Sequence, residues 1–383
     1  MLRFIVRRVV RGLVALFLFQ SLLFGLVHAL PYDFSAFVLA PPDRRAFIQH
    51  ELGLDRPLRE QYVRWLSGFA RLDLGTSYLF WPTPVSEVLF SRLARTLLLF
   101  LSAAVLAYLL GIWLGKVIAW RRGGLAEVGV TLGGVAAYTS FAPWLGFVMI
   151  NVFGWYLDWL PYQRLINPNI WFNVPVAADV LLAALLVTVG LAFGGLLLVR
   201  QALRCVRARR WRWGAQAGVL LAMGSGAWWW WSRSGLGYLA LDVLAYLALP
   251  LTTVVLLSFG ETMMLMRTAM LETLGEDYVL MARAKGLPDK IIRDRHVARN
   301  AILPVITRLA LNLPFVLVGS LVIERVFMWH AMGQVVFLAV EFQDIPVLLG
   351  VLSVVGVLTL IAHAVLDVVY IYLDPRMRYA GGG

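Results

Sequence analysis

Cysteine, histidine and charge are all scarce in this chain, and each scarcity removes a class of function. Its 383 residues include one cysteine, Cys205, so no intramolecular disulfide forms. Five histidines, at positions 28, 50, 296, 330 and 363, are scattered and make no metal-binding pattern. Charged residues are 15% and hydrophobic ones 61% of the chain, where a soluble domain has roughly 25% and under 50%. Such a composition belongs to an integral membrane protein. Catalytic motifs are missing too. There is no His-Glu-x-x-His and no Gly-x-Ser-x-Gly. Gly111-x-x-x-Gly115-Lys116-Val117 is one residue short of a phosphate-binding loop and lacks the hydroxyl that would hold magnesium. It reads as helix packing followed by a snorkelling lysine. The chain therefore binds no cofactor of its own on this reading, and its energy comes from elsewhere.

What is present is a series of apolar blocks bounded by basic residues. The net charge of +12 does not point to nucleic acid, because Lys and Arg sit mainly at block ends, where they report topology. Arg3, Arg7, Arg8 and Arg11 precede an apolar run from Gly12 to about Leu30. We read it as a retained first span with its N-terminus inside, rather than a cleaved signal. Residues 31–95 are a long polar segment, and the positive-inside bias does not count segments of that length. Further spans are expected at about 96–118, 128–151 (kinked at Pro143), 177–199, 214–231, 238–259, 305–326 (with Pro314 inside) and 347–373. Between the fourth and fifth lie Arg200, Arg204, Arg207, Arg209, Arg210 and Arg212, an inside marker that also suits anionic lipid. Trp228 to Trp231 sit at the opposite end, where an aromatic belt belongs. The fold class is thus all-α and polytopic, with about eight transmembrane helices and both termini cytoplasmic. Of the charges near spans, Asp242 and the Glu324–Arg325 pair read as structural. Asp367 is not assigned to substrate. Asn312 and Pro314 are possible pathway residues, and helix packing suits them equally.

The most informative stretch is a polar island, 261–304, between two apolar blocks. Its pattern predicts a helix over Thr268–Lys285, a stop at Gly286, and a second helix opened by Pro288 and Asp289 and running to about Asn300. That second helix is too short and too charged to span, so it should lie at the membrane surface, where it can dock to a partner.

Three runs here carry a resemblance: Glu276 to Val279; Ala282-Arg283-Ala284-Lys285-Gly286-Leu287; and Arg295-His296-x-x-Arg299-Asn300-Ala301-x-x-Pro304. They resemble the cytoplasmic loop of permease subunits of binding-protein-dependent ABC importers, in the dipeptide/oligopeptide branch. The Glu-Ala-Ala of the wider family motif is replaced by Ala282-Arg283-Ala284, as is common in that branch. Gly53-Leu54-Asp55-Arg56-Pro57, Trp159-Leu160-Pro161, Tyr246 to Pro250, Phe327-x-Trp329, Asp344-x-Pro346 and Leu373-Asp374-Pro375 also resemble the family. The likeness covers 1–168 and 238–378.

The chain then divides into an N-terminal span (1–30), an external loop (31–95), two spans with an external exit (96–168), an inserted hairpin (169–237), a core (238–378) holding the coupling loop 261–304, and a tail (379–383). The resemblance implies that the loop docks an ATPase subunit, with Arg283, Lys285, Arg295 and Arg299 as contact residues and Gly286 and Pro288 setting the angle. It also implies a second permease, two ATPase subunits that carry ATP and magnesium, an external substrate-binding protein, and peptides or similar small solutes as cargo. The setting is the plasma (inner) membrane of a prokaryote, with lipid around the chain and no nucleic acid. The rival is a self-contained carrier driven by an ion gradient. A carrier should show an inverted repeat and charges at the midplane, and neither stands out.

Overall fold

The computed structural model describes residues 2–29, 50, 55–121, 123–172, 174, 176–202 and 209–373. Residues 30–49 and 51–54, Arg204 and Arg207 of the arginine cluster, the Asp374-Pro375 ending and the tail lie outside them. The described chain is helical, with one isolated bridge between Thr76 and Pro84 and no strand among the described residues. In order, α1 is Leu2–Ala29, α2 Leu58–Ala70 and α3 Val85–Trp120. Next, α4 is Leu125–Thr139, α5 Ala142–Tyr156, α6 Ala178–Ala202, α7 Arg209–Arg233 and α8 Gly237–Leu274. Then α9 is Asp277–Ala284, α10 spans 289–318, α11 is Leu321–Val326, α12 Met332–Glu341 and α13 Ile345–Leu373. Among the described residues, α3, α8 and the Ile345–Ala364 part of α13 are long and apolar enough to cross a membrane, and α4 with α5 makes a fourth if counted as one broken span.

The long helices α3 and α8 cross through glycine. A Cβ on Gly111 would lie 2.7 Å from the Thr262 Cβ, and one on Gly115 would lie 2.5 Å from the Met263 carbonyl oxygen. Only a hydrogen lets the two backbones approach so closely, as small residues do between membrane helices. The Gly111–Gly115 pair is therefore a packing device. Lys116, beside it, does not reach for lipid. Its Nζ pairs with Asp294 at 3.2 Å.

Three spans differ from the sequence reading. The expected 128–151 span is two helices bent by 107°. Pro143 lies in the first turn of α5 rather than mid-span. Without an N–H it cannot continue the hydrogen-bond ladder from Thr139, and Ser140 and Phe141 take extended backbone there. The Ser140 hydroxyl donates back to the Ala136 carbonyl at 2.6 Å. The expected 305–326 span ends at Val318. Gly319 follows with φ +75°, and Glu324 falls in the separate short helix α11. The 96–118 span begins early, at Val85, so the end of the 31–95 segment supplies its first turns.

Buried carboxylates organise the end of the bundle that holds these turns. Glu324 is 2% exposed and accepts the backbone N–H of Ala331, Gly333 and Gln334 at 3.2, 2.9 and 2.8 Å. Asp344, equally buried, accepts the Ser77 hydroxyl and the N–H groups of Leu79 and Val347, and so ties the external loop to α13. Asp242 accepts the Asn167 N–H and the Trp171 indole N–H, both at 3.0 Å. Each carboxylate satisfies donors that a turn leaves without helical partners. The hairpin α6–α7 docks through α6. Leu181 and Leu182 are buried beside Leu98, Leu239 and Val243, and Arg95 pairs with Asp179 at 2.6 Å.

Candidate functional site

The polar island folds at the opposite end of α3 and α8. The helix expected over Thr268–Lys285 is in fact broken. Helix α8 runs to Leu274, the chain turns at Gly275 and Glu276, and α9 starts afresh at Asp277. Asp277 in the first turn meets the positive end of the helix dipole. Gly286 ends α9 with φ +71°, in the left-handed region that glycine alone enters cheaply. Its N–H donates to Arg283 at 2.9 Å and that of Leu287 to Ala282 at 3.3 Å, a glycine-type helix ending. Pro288 is the cap residue before α10 rather than a member of its first turn, and Asp289 is the first helical residue. The second helix does not stop at Asn300. It continues through a wide turn, Ile292–Val297, into Ala298–Val318. The helical backbone is thus continuous from Asp289 to Val318.

The loop has two faces. Val279, Ala282, Ile292, Val297, Ala301 and Val305 point inward, onto Ala119 of α3 and Met266 and Met270 of α8. Arg283, Ala284, Lys285, Gly286, Pro288, Asp289, Arg295, Arg299, Asn300 and Pro304 are exposed, while Leu287 and His296 are half-buried. None of Arg283, Lys285, Arg295 and Arg299 has an ion-pair partner among the described residues. Leu280 and Met281, on the same helix as Arg283, are 56% and 60% exposed. Met270, Leu271, Leu274, Tyr278 and Met281 share a three-to-four spacing in the sequence, but that period crosses the break at Gly275 and does not mark one buried stripe. The spacing of Val279 and Ala282 carried the true register.

Two contacts fix the loop to the bundle. Asp294 takes a bidentate pair from Arg293, at 2.9 and 3.0 Å, and Lys116 approaches from α3. The Arg293 hydrogen bonds, with Lys116 adding to them, hold the Asp294 carboxyl below the usual carboxylate range. The Asn300 amide donates to the Tyr278 hydroxyl at 2.8 Å and joins α9 to α10. Arg283 also lines a cavity of about 510 Å³ with Trp120, Leu271 and Leu274. Asn312 is not with this group. It donates to the Tyr108 hydroxyl at 3.4 Å, between α10 and α3. Pro314 lies within α10, and its side chain is outside the described residues.

Chemically, this arrangement has what a contact surface needs. It has a rigid inner face, unpaired cations outside and exposed apolar side chains among them, which is how docking surfaces combine anchor and charge. No group of three or more potential metal ligands occurs among the described residues.

Comparison with known proteins gives the surface its context. Residues 107–379 match the family described as binding-protein-dependent transport system inner membrane component, and residues 1–99 match its N-terminal companion. The chain is 27% identical over 390 residues to the oligopeptide transport system permease protein AppB of Bacillus subtilis, covering 99% of this chain and 100% of that one. It is 28% identical over 387 residues to the dipeptide transport system permease protein DppB of Escherichia coli, covering 99% of each. It is 26% identical over 392 residues to the glutathione transport system permease protein GsiC of Escherichia coli, covering 99% of this chain and 100% of that one. With the family match extending over most of its length and its helices long and apolar enough to cross a membrane, the chain belongs to the inner membrane components of binding-protein-dependent transport systems, the permease subunits of ABC importers.

Proposed function

We propose that this permease carries peptides or similar small solutes and is driven through the 282–304 loop by a separate ATPase. The names of its relatives support the cargo class: oligopeptide, dipeptide and glutathione systems. The reading of the loop rests on one observation. Arg283, Lys285, Arg295 and Arg299 are exposed without an ion-pair partner among the described residues, Leu280 and Met281 are exposed on the same loop, and its buried side chains pack against α3 and α8. In this account the loop lies at the cytoplasmic face, the chain crosses the membrane eight times, and both termini are inside. Two ATPase subunits bind ATP and magnesium, a second permease completes the pathway, and an external binding protein delivers the solute.

Closure of the ATPase dimer pushes on 289–300. Because the helical backbone runs on from that segment into Ala298–Val318, its displacement passes along the chain to the span that carries Asn312 and Pro314. Gentle purification from the native membrane, with the co-purifying proteins identified, tests this assembly. An ATPase and a second permease should come with the chain. A chain that comes out alone and transports on an ion gradient after reconstitution would replace this reading with the carrier.

A further inference from the structure

A cavity of about 340 Å³ lies between α2, α1 and the start of α13. Helix α2 buries none of its residues. It is held to α1 by the Tyr62 and Ser21 hydroxyls, 2.7 Å apart, and by Gln61 Oε1 and His28 Nε2, 3.2 Å apart. Phe24 of α1 and Leu349 of α13 line the cavity with apolar groups. Arg56, Glu60, Arg64 and Arg71 line it from α2 and its two ends, spaced at close to whole turns and so on one face of the helix.

These lining charges are unspent. None of the four has an ion-pair partner among the described residues. Glu60 and Arg64 stand one turn apart, the spacing at which opposite charges pair, and still make no pair. Asp73, also in the lining, is engaged by the Gly75 N–H at 3.0 Å. Trp65 borders the same space, and its buried indole N–H has no acceptor among the described residues, an omission that a ligand explains.

A space of this size with an apolar wall and a few convergent polar groups has the make-up of a small-molecule site. Its charges define the ligand. A simple anion would be repelled by Glu60, and a simple cation by three arginines. A zwitterion with an apolar body satisfies both. Glu60 and Arg64 are about 6 Å apart along the helix axis, and two residues of extended chain span about 7 Å.

We propose that this cavity binds a short peptide with free termini, its ammonium on Glu60, its carboxylate on Arg64 and its apolar side chain against Phe24 and Leu349. The permease then has a cargo site of its own on α2. The inference rests on the proposed cargo class.

Equilibrium dialysis of the full chain tests it, in uncharged maltoside detergent, without any binding protein and with the dipeptide Ala-Leu as the probe. The wild type should bind Ala-Leu, and its N-acetyl and C-amide forms about tenfold more weakly, the weight of one charge-assisted contact. Arg64→Gln should weaken the free dipeptide about tenfold and leave the C-amide form unchanged. Glu60→Gln should weaken the free dipeptide likewise and leave the N-acetyl form unchanged. Arg59→Gln, on the same helix but outside the lining, should change nothing. All three replace exposed side chains, so each variant should melt like the wild type. No binding by the wild type, an equal loss with Arg59→Gln, or a loss that falls alike on free and capped dipeptides overturns the proposal. So does displacement of Ala-Leu by an equimolar amount of phosphatidylethanolamine, a lipid that carries the same two charges. Uptake by the complete assembly is measured separately. Peptide uptake without binding to this chain defeats the cavity site alone, and binding without peptide uptake defeats the cargo class alone.

Discussion

Gly286 and Glu324 show how much single side chains decide here. Gly286 sits at φ +71° with open space around it. Gly286→Ala therefore costs only backbone strain, about 1 kcal/mol, and alters where α10 begins. Melting should fall slightly while solute uptake falls more. Glu324 is the reverse case, invisible as a function and large as a structural anchor. Glu324→Ala leaves two buried N–H groups and a half-buried third, that of Gln334, without this acceptor, at roughly 1–3 kcal/mol for each buried one. Thermal unfolding in detergent should show a loss of several kcal/mol, and Glu324→Gln, which keeps one acceptor oxygen, should lose less. The sequence marked Glu324 as structural from its place near a span end. It could not show which turn the carboxylate holds, because those donors come from residues 331–334, across the Phe327–His330 turn.

At the scale of elements, the loop and its break were unequally legible. The motif residues, the Gly286 stop and the opening at Pro288–Asp289 could be read directly, since each rests on local backbone chemistry. The inward and outward faces could not, because the three-to-four spacing of Met270, Leu274, Tyr278 and Met281 runs across the break at Gly275, beyond which α9 starts a new register. The 107° bend between α4 and α5 was missed for a similar reason. A proline inside an apolar run looks the same whether it kinks a helix or starts one. Lys116 was read as snorkelling because its partner, Asp294, lies far along the chain.

That pair gives a prediction at this scale. It is half exposed, so its removal should change stability by no more than about 1 kcal/mol. It nonetheless ties α10 to α3, and Asp294→Asn should lower the uptake obtained per ATP hydrolysed without shifting the melting temperature appreciably. The pH sense follows from the depressed Asp294 carboxyl. A lowered carboxylate contributes above its unfolded value and loses that contribution as pH falls through the folded one. Coupling in wild-type vesicles should therefore hold through mildly acidic pH and fail only below the ordinary carboxylate range.

At the scale of the whole molecule, two ends of one bundle do different work. Buried carboxylates lock the end that holds the external loop and the short helices α11 and α12. The other end presents cations that nothing in the described chain neutralises. Glycine contacts between α3 and α8 join the two ends into a stiff frame. A push on one end can then move the frame rather than dissipate in it. The α6–α7 hairpin stands beside this frame, held by Arg95–Asp179 and the leucines of α6.

The most direct test of the account is Arg299→Glu, with ATP-driven uptake of a short peptide and retention of the ATPase subunit measured on the same membranes. Arg299 is exposed and unpaired, so the variant should insert and melt like the wild type. The account predicts that it loses most of its bound ATPase and its uptake together. Undiminished uptake with the ATPase still bound would contradict it.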